Sequence, residues 1–575
     1  MAYEPDLPEI IRAARGEKPT DLLLTNGRIV NVFSGEIYKN DIAIHQGCIV
    51  GIGDYQGIKK VDLKGAFVTP GLIDGHMHIE SSLVDPAEFA RAVVPMGTTT
   101  VIADPHEIAN VRGIEGIKYI LRTNKVAPLD IFAMIPSCVP ATNLETSGAT
   151  LTAEDMIASF TKDRVLGLGE LMDFPAVLDQ DPYILKKIQA AQMKRIDGHA
   201  PGVTGKDLQA YIAAGASSDH ECTNVEEARE KLRLGMYIMI REGSVTQDMK
   251  ALIPLVSSVN LNRCFLVTDD REPIHLLEEG HMNFLVRKAV SLGLDPVAAV
   301  SLASKNTAEY FRLKNFGAIA PGYVADLVVV QDLESFSAQM VFKRGVLVAR
   351  EGKPLFQISK VDALSVSNTV DMKPLSPADL AIEARGDQGR VIGVLPGKII
   401  TEKLWLQLRI ENDQVLSDPS RDILKLCVIE RHHASGNLGL GLVRGLGLKK
   451  GAIGSSVAHD SHNIIAAGVT DSDILLAVNE IARIGGALVV VADGEVLSRL
   501  PLPIAGLMSD QPLPWVKDRL KEMYRIVKEL GGVPEDPFMA LSFLALPVIP
   551  ELKLTDKGLV DVAAFRITSL FEPLG

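Results

Sequence analysis

Seven of the chain's 12 histidines, at positions 76, 78, 106, 199, 220, 275 and 281, fall within residues 70–317. His76 and His78 stand two apart in GLIDGHMHIESS. In a strand this spacing sends both imidazoles to one face and turns Met77 away. A bare H-x-H also describes paired surface histidines. The apolar run before it, entered by Thr69, Pro70 and Gly71, makes a metal-binding strand end the stronger reading. Glu170 ends RVLGLGEL, and one carboxylate can divide its oxygens between two cations held roughly 3.5–4 Å apart. His199 (DGHAPG) and His220 (SSDHE) close the next two runs, and neutral imidazole suits divalent transition metals. Asp269 in LVTDD sits where an aspartate can bind metal and move a proton; alternation turns Asp270 away. Asp104 and His106 in ADPHE repeat the same-face spacing and could bind a further metal, orient a substrate or stiffen the rim. Taken singly, each of these is a hydrogen-bonded histidine or a salt-bridged carboxylate.

Elements must bring these groups together. The middle of the chain alternates apolar runs with helical patterns. The runs are GLIDGH, TTTVIA, DIFAMIP, RVLGLG, KRIDGH, GASSDH, MYIMIR and RCFLVT. Eight strand–helix units over about 250 residues is the arithmetic of a (β/α)8 barrel. Five of the seven histidines (76, 78, 106, 199 and 220) then fall at the C-terminal ends of strands, the rim where barrel enzymes do chemistry. Strand-rich segments flank the barrel. The fold class expected is α/β: a (β/α)8 barrel over 70–317, with a small composite β-sandwich domain made from residues 1–69, which include an N-terminal arm, and 318–355. Residues 356–385 lack periodicity and read as a linker, and 386–575 as an additional α+β domain.

Composition narrows the function classes. Hydrophobic residues make up 47% and charged residues 23%, so the chain is globular. A net charge of −13 argues against a nucleic-acid backbone as partner. The five cysteines form no C-x-x-C pair, which excludes a zinc ribbon and the two-cysteine zinc arm of cytidine-type deaminases, and their odd number suggests a reducing compartment. No signal-peptide core opens the sequence and no run is long enough to span a bilayer. A cytoplasmic protein without membrane contact is expected.

The motifs TPGLIDGHMHIESS, GTTTVIADPHEIANV, GLGELMD, DGHAPG, SSDHE and LVTDD together resemble the amidohydrolase superfamily, and within it the bacterial-type adenine deaminases. In the C-terminal third, ERHHASG, GLVRGLGLKKGAIGSSVAHDSHNI and GGALVVV are similar to the extra domain of that family. No lysine lies in Val165–Leu171, where many superfamily members carry a metal-bridging carboxylated lysine, and Glu170 takes that place. The resemblance implies a metal-dependent hydrolase acting on a cyclic amidine C–N bond, converting adenine to hypoxanthine and ammonia in purine salvage. The alternative is an amidohydrolase acting on another base or a cyclic amide. It implies two divalent ions per chain, manganese or iron(II) before zinc: His76, His78 and Asp269 on one, His199 and His220 on the other, Glu170 bridging. It also implies a homo-oligomer, a dimer or larger.

The chemistry expected is attack at ring carbon 6 by a hydroxide that two cations have made from water, with Asp269 and Glu170 as the catalytic carboxylates and Asp269 moving the proton. A ring nitrogen also needs a proton, for which Glu80, Glu107 and Glu242 are candidates. His459, Asp460, His462 and Asn463 in AHDSHN form a further polar cluster, either a lid or substrate contact reaching the barrel mouth or a structural loop holding the third domain together. The glycines of NLGLGLVRGLGLKKG match no phosphate-binding pattern.

Overall fold

The computed structural model describes residues 5–571, so the outermost four residues at each end, in the N-terminal arm and the C-terminal unit, lie outside the described residues. Its centre is a ring of eight parallel strands: Leu72–His78, Thr98–Ala103, Asp130–Ile135, Val165–Leu171, Arg195–Gly198, Ser218–Asp219, Tyr237–Arg241 and Cys264–Val267. Each apolar run identified in the sequence supplies one of them. Most of their residues are buried because helices cover the outside and side chains fill the inside; every residue of TTTVIA, for example, is buried. Ser217 N donates to Ile196 O at 2.9 Å, joining the fifth strand to the sixth. Asp269–Asp270 then pairs in parallel with Met77 and His78, which closes the ring. Buried Asp74 on the first strand accepts from Thr268 N (3.2 Å), Thr268 Oγ1 (2.5 Å) and His76 N (3.3 Å), and its Oδ2 lies 3.2 Å from His281 Nε2. His281 is thereby a structural residue, and His275 lies half-exposed on the helix Pro273–Glu278.

The β-rich segments on either side of the barrel pair with each other. Phe67–Pro70 lies antiparallel to Leu327–Val330, with Val68 opposite Val329. The result is one composite nine-stranded sheet built from both segments. The strand Thr20–Val30 bulges between Leu24 and Gly27 and pairs with Gly57–Asp62 along one half and Phe67–Pro70 along the other. The sheet therefore divides there, and Leu22, Ile42 and Ile44 share one core with Leu327, Val329 and Phe342.

Residues 356–385 hold only short 3-10 turns, at Leu364–Val366 and Pro377–Leu380, yet Val366 and Leu380 are fully buried. The segment is a packed strap, not a loose tether. Beyond it an eight-stranded sheet runs from Thr401–Gln407 at one edge to Glu495–Pro501 at the other. The helix Asp471–Ile484 covers one face of it. Thr470 starts this helix by accepting from Asp473 N, and Gly485 ends it at φ +79. The opposite face shares a continuous apolar core with the barrel, running from Val84 and Leu276 to Leu488, Leu507 and Leu520. Among the described residues no helix is long and apolar enough to cross a membrane.

Candidate metal centre

The C-terminal rim of the barrel gathers the predicted side chains into one buried cluster. His76 and His78 both face inward from the first strand, and Met77 packs into the core between barrel and helices. Glu170 lies at the middle. Its Oε1 is 3.4 Å from His76 Nε2 and 3.2 Å from His78 Nε2. Its Oε2 is 2.7 Å from His199 Nδ1 and 3.4 Å from His220 Nε2. Asp269 Oδ1 completes the first group, 3.0 Å from His78 Nε2 and 3.7 Å from His76 Nε2. Asp269 sits at φ +59, a left-handed conformation uncommon for this residue, where the chain turns off the eighth strand.

Neighbouring groups fix these poses. His78 Nδ1 faces Asp104 O at 2.8 Å, which leaves Nε2 for the centre. Asp104 Oδ2 accepts from Glu170 N at 2.8 Å and so ties the second strand to the fourth. Gly169 permits this approach, because a Cβ there would stand 2.1 Å from Asp104 Oδ2. The buried Tyr211 hydroxyl accepts from His199 N and donates to Leu171 O. Two groups that sequence reasoning missed belong to the same shell. Glu221 Oε1 lies 3.4 Å from His220 Nε2, and Arg241 contacts both Glu221 and Asp269, the latter at 3.0 Å. Arg241 ends the seventh strand, where an inward-facing arginine in MYIMIR was the available signal.

Burial works against charge on these rings, but the Asp269 and Glu170 carboxylates outweigh it and push His76 up to about 10. Burial likewise opposes ionisation of Asp269, yet the two imidazoles and the Arg241 guanidinium hold its carboxyl well below the usual range. His76 Nε2 and Glu170 Oε1 lack any hydrogen bond among the described residues although both are buried. Unpaired donor atoms this close, on His and carboxylate side chains alone, fit a divalent metal centre.

The remaining predicted residues divide. His106 Nδ1 lies 3.5 Å from Glu170 Oε1, so His106 borders the centre. Its other nitrogen, together with Glu107, His459, Asp460 and His462, forms a second buried group beside the first. Glu80 lines the cleft between barrel and C-terminal unit; Oε1 accepts from Ile108 N at 3.1 Å and Oε2 is unpartnered among the described residues. Burial, aided by Glu107, pushes its carboxyl up to about 7. Glu242 is not brought to the cluster. Arg241 takes the inward direction, so alternation points Glu242 outward to Lys288 and Met249 N. Asn463 also turns away, donating to Thr146 O at 2.9 Å. The AHDSHN segment is fully packed, with His459, Asp460, His462 and Asn463 all buried. Within it, His459 lines the cleft between barrel and C-terminal unit.

Comparison with known proteins agrees with this architecture. Residues 67–348 match the amidohydrolase family and residues 398–566 match the adenine deaminase C-terminal domain. Adenine deaminase 2 of Carboxydothermus hydrogenoformans is 54% identical over 562 residues, spanning 98% of this chain and 99% of that protein. The adenine deaminase of Dehalococcoides mccartyi is 51% identical over 563 residues, with 98% and 99% covered. That of Desulfatibacillum aliphaticivorans is 50% identical over 570 residues, again with 98% and 99% covered. With similarity at this level running through barrel and C-terminal unit alike, the chain belongs to the adenine deaminase family of the amidohydrolases.

Proposed function

We propose that the chain hydrolyses adenine to hypoxanthine and ammonia, using His76, His78 and Asp269 to hold one divalent ion, His199 and His220 a second, and Glu170 to bridge them. The observation that carries this reading is Glu170 itself, whose two oxygens each face a separate pair of imidazoles. Full-length adenine deaminase relatives support the substrate. Bound there, the ions would acidify a water molecule and neutralise the clustered carboxylates.

The chain's own groups do the rest. Asp269, kept anionic by Arg241, accepts a proton from the attacking water and returns it to the departing amine. Glu80 presents an unpartnered oxygen to the cleft and is the proposed proton donor to the ring nitrogen. The largely apolar cleft, with Phe538 and Leu520 among its lining residues, suits a flat purine. Manganese or iron(II), a role in purine salvage in the cytoplasm and a homo-oligomeric assembly belong to the same proposal.

The test is ammonia release from adenine and from cyclic amides, with metal analysis on the same preparation. Adenine turnover is expected, lost on chelation and restored by manganese or ferrous iron. Glu170→Gln and Asp269→Asn should each remove it without changing the circular dichroism. A folded, metal-loaded chain that opens a cyclic amide and leaves adenine intact would reject the substrate. Full activity without metal would reject the centre.

A further inference from the structure

We propose that a third divalent cation binds beside the Glu170 centre, at the seam between the barrel and the C-terminal unit, held by His106, Glu107, His459 and Asp460. Two of these residues open the helix His106–Arg122 after the second barrel strand, and two come from the AHDSHN segment some 350 residues later. His106 Nε2, Glu107 Oε1 and an Asp460 oxygen meet as one potential ligand group. His106 Nε2 is 3.3 Å from Glu107 Oε1 and 3.9 Å from Asp460 Oδ1. His459 Nδ1 is 2.8 Å from Glu107 Oε1 and 3.9 Å from Asp460 Oδ1. Ligand atoms about 2.0–2.2 Å from a tetrahedral cation stand roughly 3.3–3.6 Å from one another, close to the 3.3 Å between His106 and Glu107 and a little short of the 3.9 Å that separates Asp460 from each imidazole. Two imidazoles with two carboxylates suit manganese, iron(II) or zinc and balance a charge of two.

The environment calls for such a charge. Asp460 is 2% exposed, and its Oδ2 has no hydrogen-bond partner among the described residues. A buried carboxylate in that state is costly unless a cation compensates it. The geometry around Glu107 is also that of a supported ligand. His462 Nδ1 accepts from Ala458 N at 3.2 Å, so its Nε2 carries the hydrogen and faces Glu107 Oε2. One oxygen of Glu107 is thus oriented by a neutral imidazole while the other points into the seam, the usual arrangement behind a metal ligand. Arg431, fully buried, holds the His462 and Ala505 carbonyls and fixes the segment that carries His459 and Asp460. His106 faces both sites, with Nδ1 toward Glu170 and Nε2 toward Glu107.

The experiment strips the full-length protein with chelator, reconstitutes it with excess manganese and counts bound metal per chain by mass spectrometry. Asp460→Asn and His459→Ala are treated in parallel. Wild type should retain one manganese per chain more than either variant, and the variants should keep those bound around Glu170. Anomalous scattering from wild-type crystals at the manganese edge should add a peak within bonding distance of His106 Nε2, Glu107, His459 Nδ1 and Asp460, which guards against a variant that fails to fold. Equal metal counts in all three proteins, or no peak at the seam, would overturn the proposal and leave a hydrogen-bonded His–Glu–His seam instead. If the Glu170 peaks persist in that case, only the seam site fails; if wild type binds no manganese at all, the Glu170 centre fails with it.

Discussion

Arg241 shows how much a single side chain settles at the proposed centre. It is buried and shares its guanidinium among Glu221, Asp248 and Asp269. Three carboxylates around one cation leave Asp269 an ionised acceptor with one oxygen tied to Arg241 and the other directed at the histidines. Replacing Arg241 with Met removes the positive charge, so the Asp269 carboxyl should ionise at higher pH. A base that ionises later loses activity on the acid side. The acid limb of the kcat profile should therefore move upward in pH, and kcat at neutrality should fall by about 10²-fold, the scale of a mispositioned proton carrier. Arg241→Lys should recover part of the loss. An unshifted acid limb in the Met variant would show that Arg241 is a packing residue only.

At the scale of elements, the barrel strands were legible as short runs, most of them largely apolar, with polar or charged residues at or just beyond the ends of several. The metal-facing groups were legible for the same reason: His76, His78, Glu170, His199 and His220 sit at those ends, and period-two alternation assigned their faces. Glu221 and Arg241 were not, since a Glu after a candidate ligand and an Arg at a strand end have many structural uses. Nor could sequence bring His459 and Asp460 to Glu107, because that approach depends on how the C-terminal sheet docks, which no local pattern encodes. Gly169 illustrates the hidden requirement best. The sequence shows an ordinary strand glycine, whereas the structure shows Asp104 Oδ2 occupying the place of its Cβ. Gly169→Ala should push Asp104 away, release Glu170 N and His78, and destabilise the fold by about 1–3 kcal/mol, the range for overpacking a dense core. Weaker retention of manganese on dilution, together with a lower melting temperature, is the expected pair of readouts. An alanine variant that keeps both would mean that Asp104 is not needed to set the ligand poses.

The molecule as a whole is one continuous body, because the barrel and the C-terminal sheet bury a common apolar core and the seam between them carries buried polar groups. Its stability should accordingly respond to groups far from the metal centre. Lys553 is the clearest case. It lies on the strand Leu552–Thr555, is fully buried, and donates to Ile399 O at 2.9 Å and Phe543 O at 2.8 Å, while burial pulls its ammonium down to about 7. In the unfolded chain the same lysine keeps its proton up to about pH 10.4. Between those values the unfolded state binds the extra proton, so stability must rise with pH through this window, by at most about 1.4 kcal/mol per unit from this one group. Below pH 7 both states are protonated and the slope disappears. Thermal unfolding of the metal-stripped protein from pH 7 to 9 should show the rise, and Lys553→Met should flatten it. The variant also leaves two carbonyls without their donor, but that loss is the same at every pH and lowers the curve without tilting it. Parallel curves for wild type and variant would mean that Lys553 stays charged in its buried site, with the two carbonyls compensating the ammonium fully.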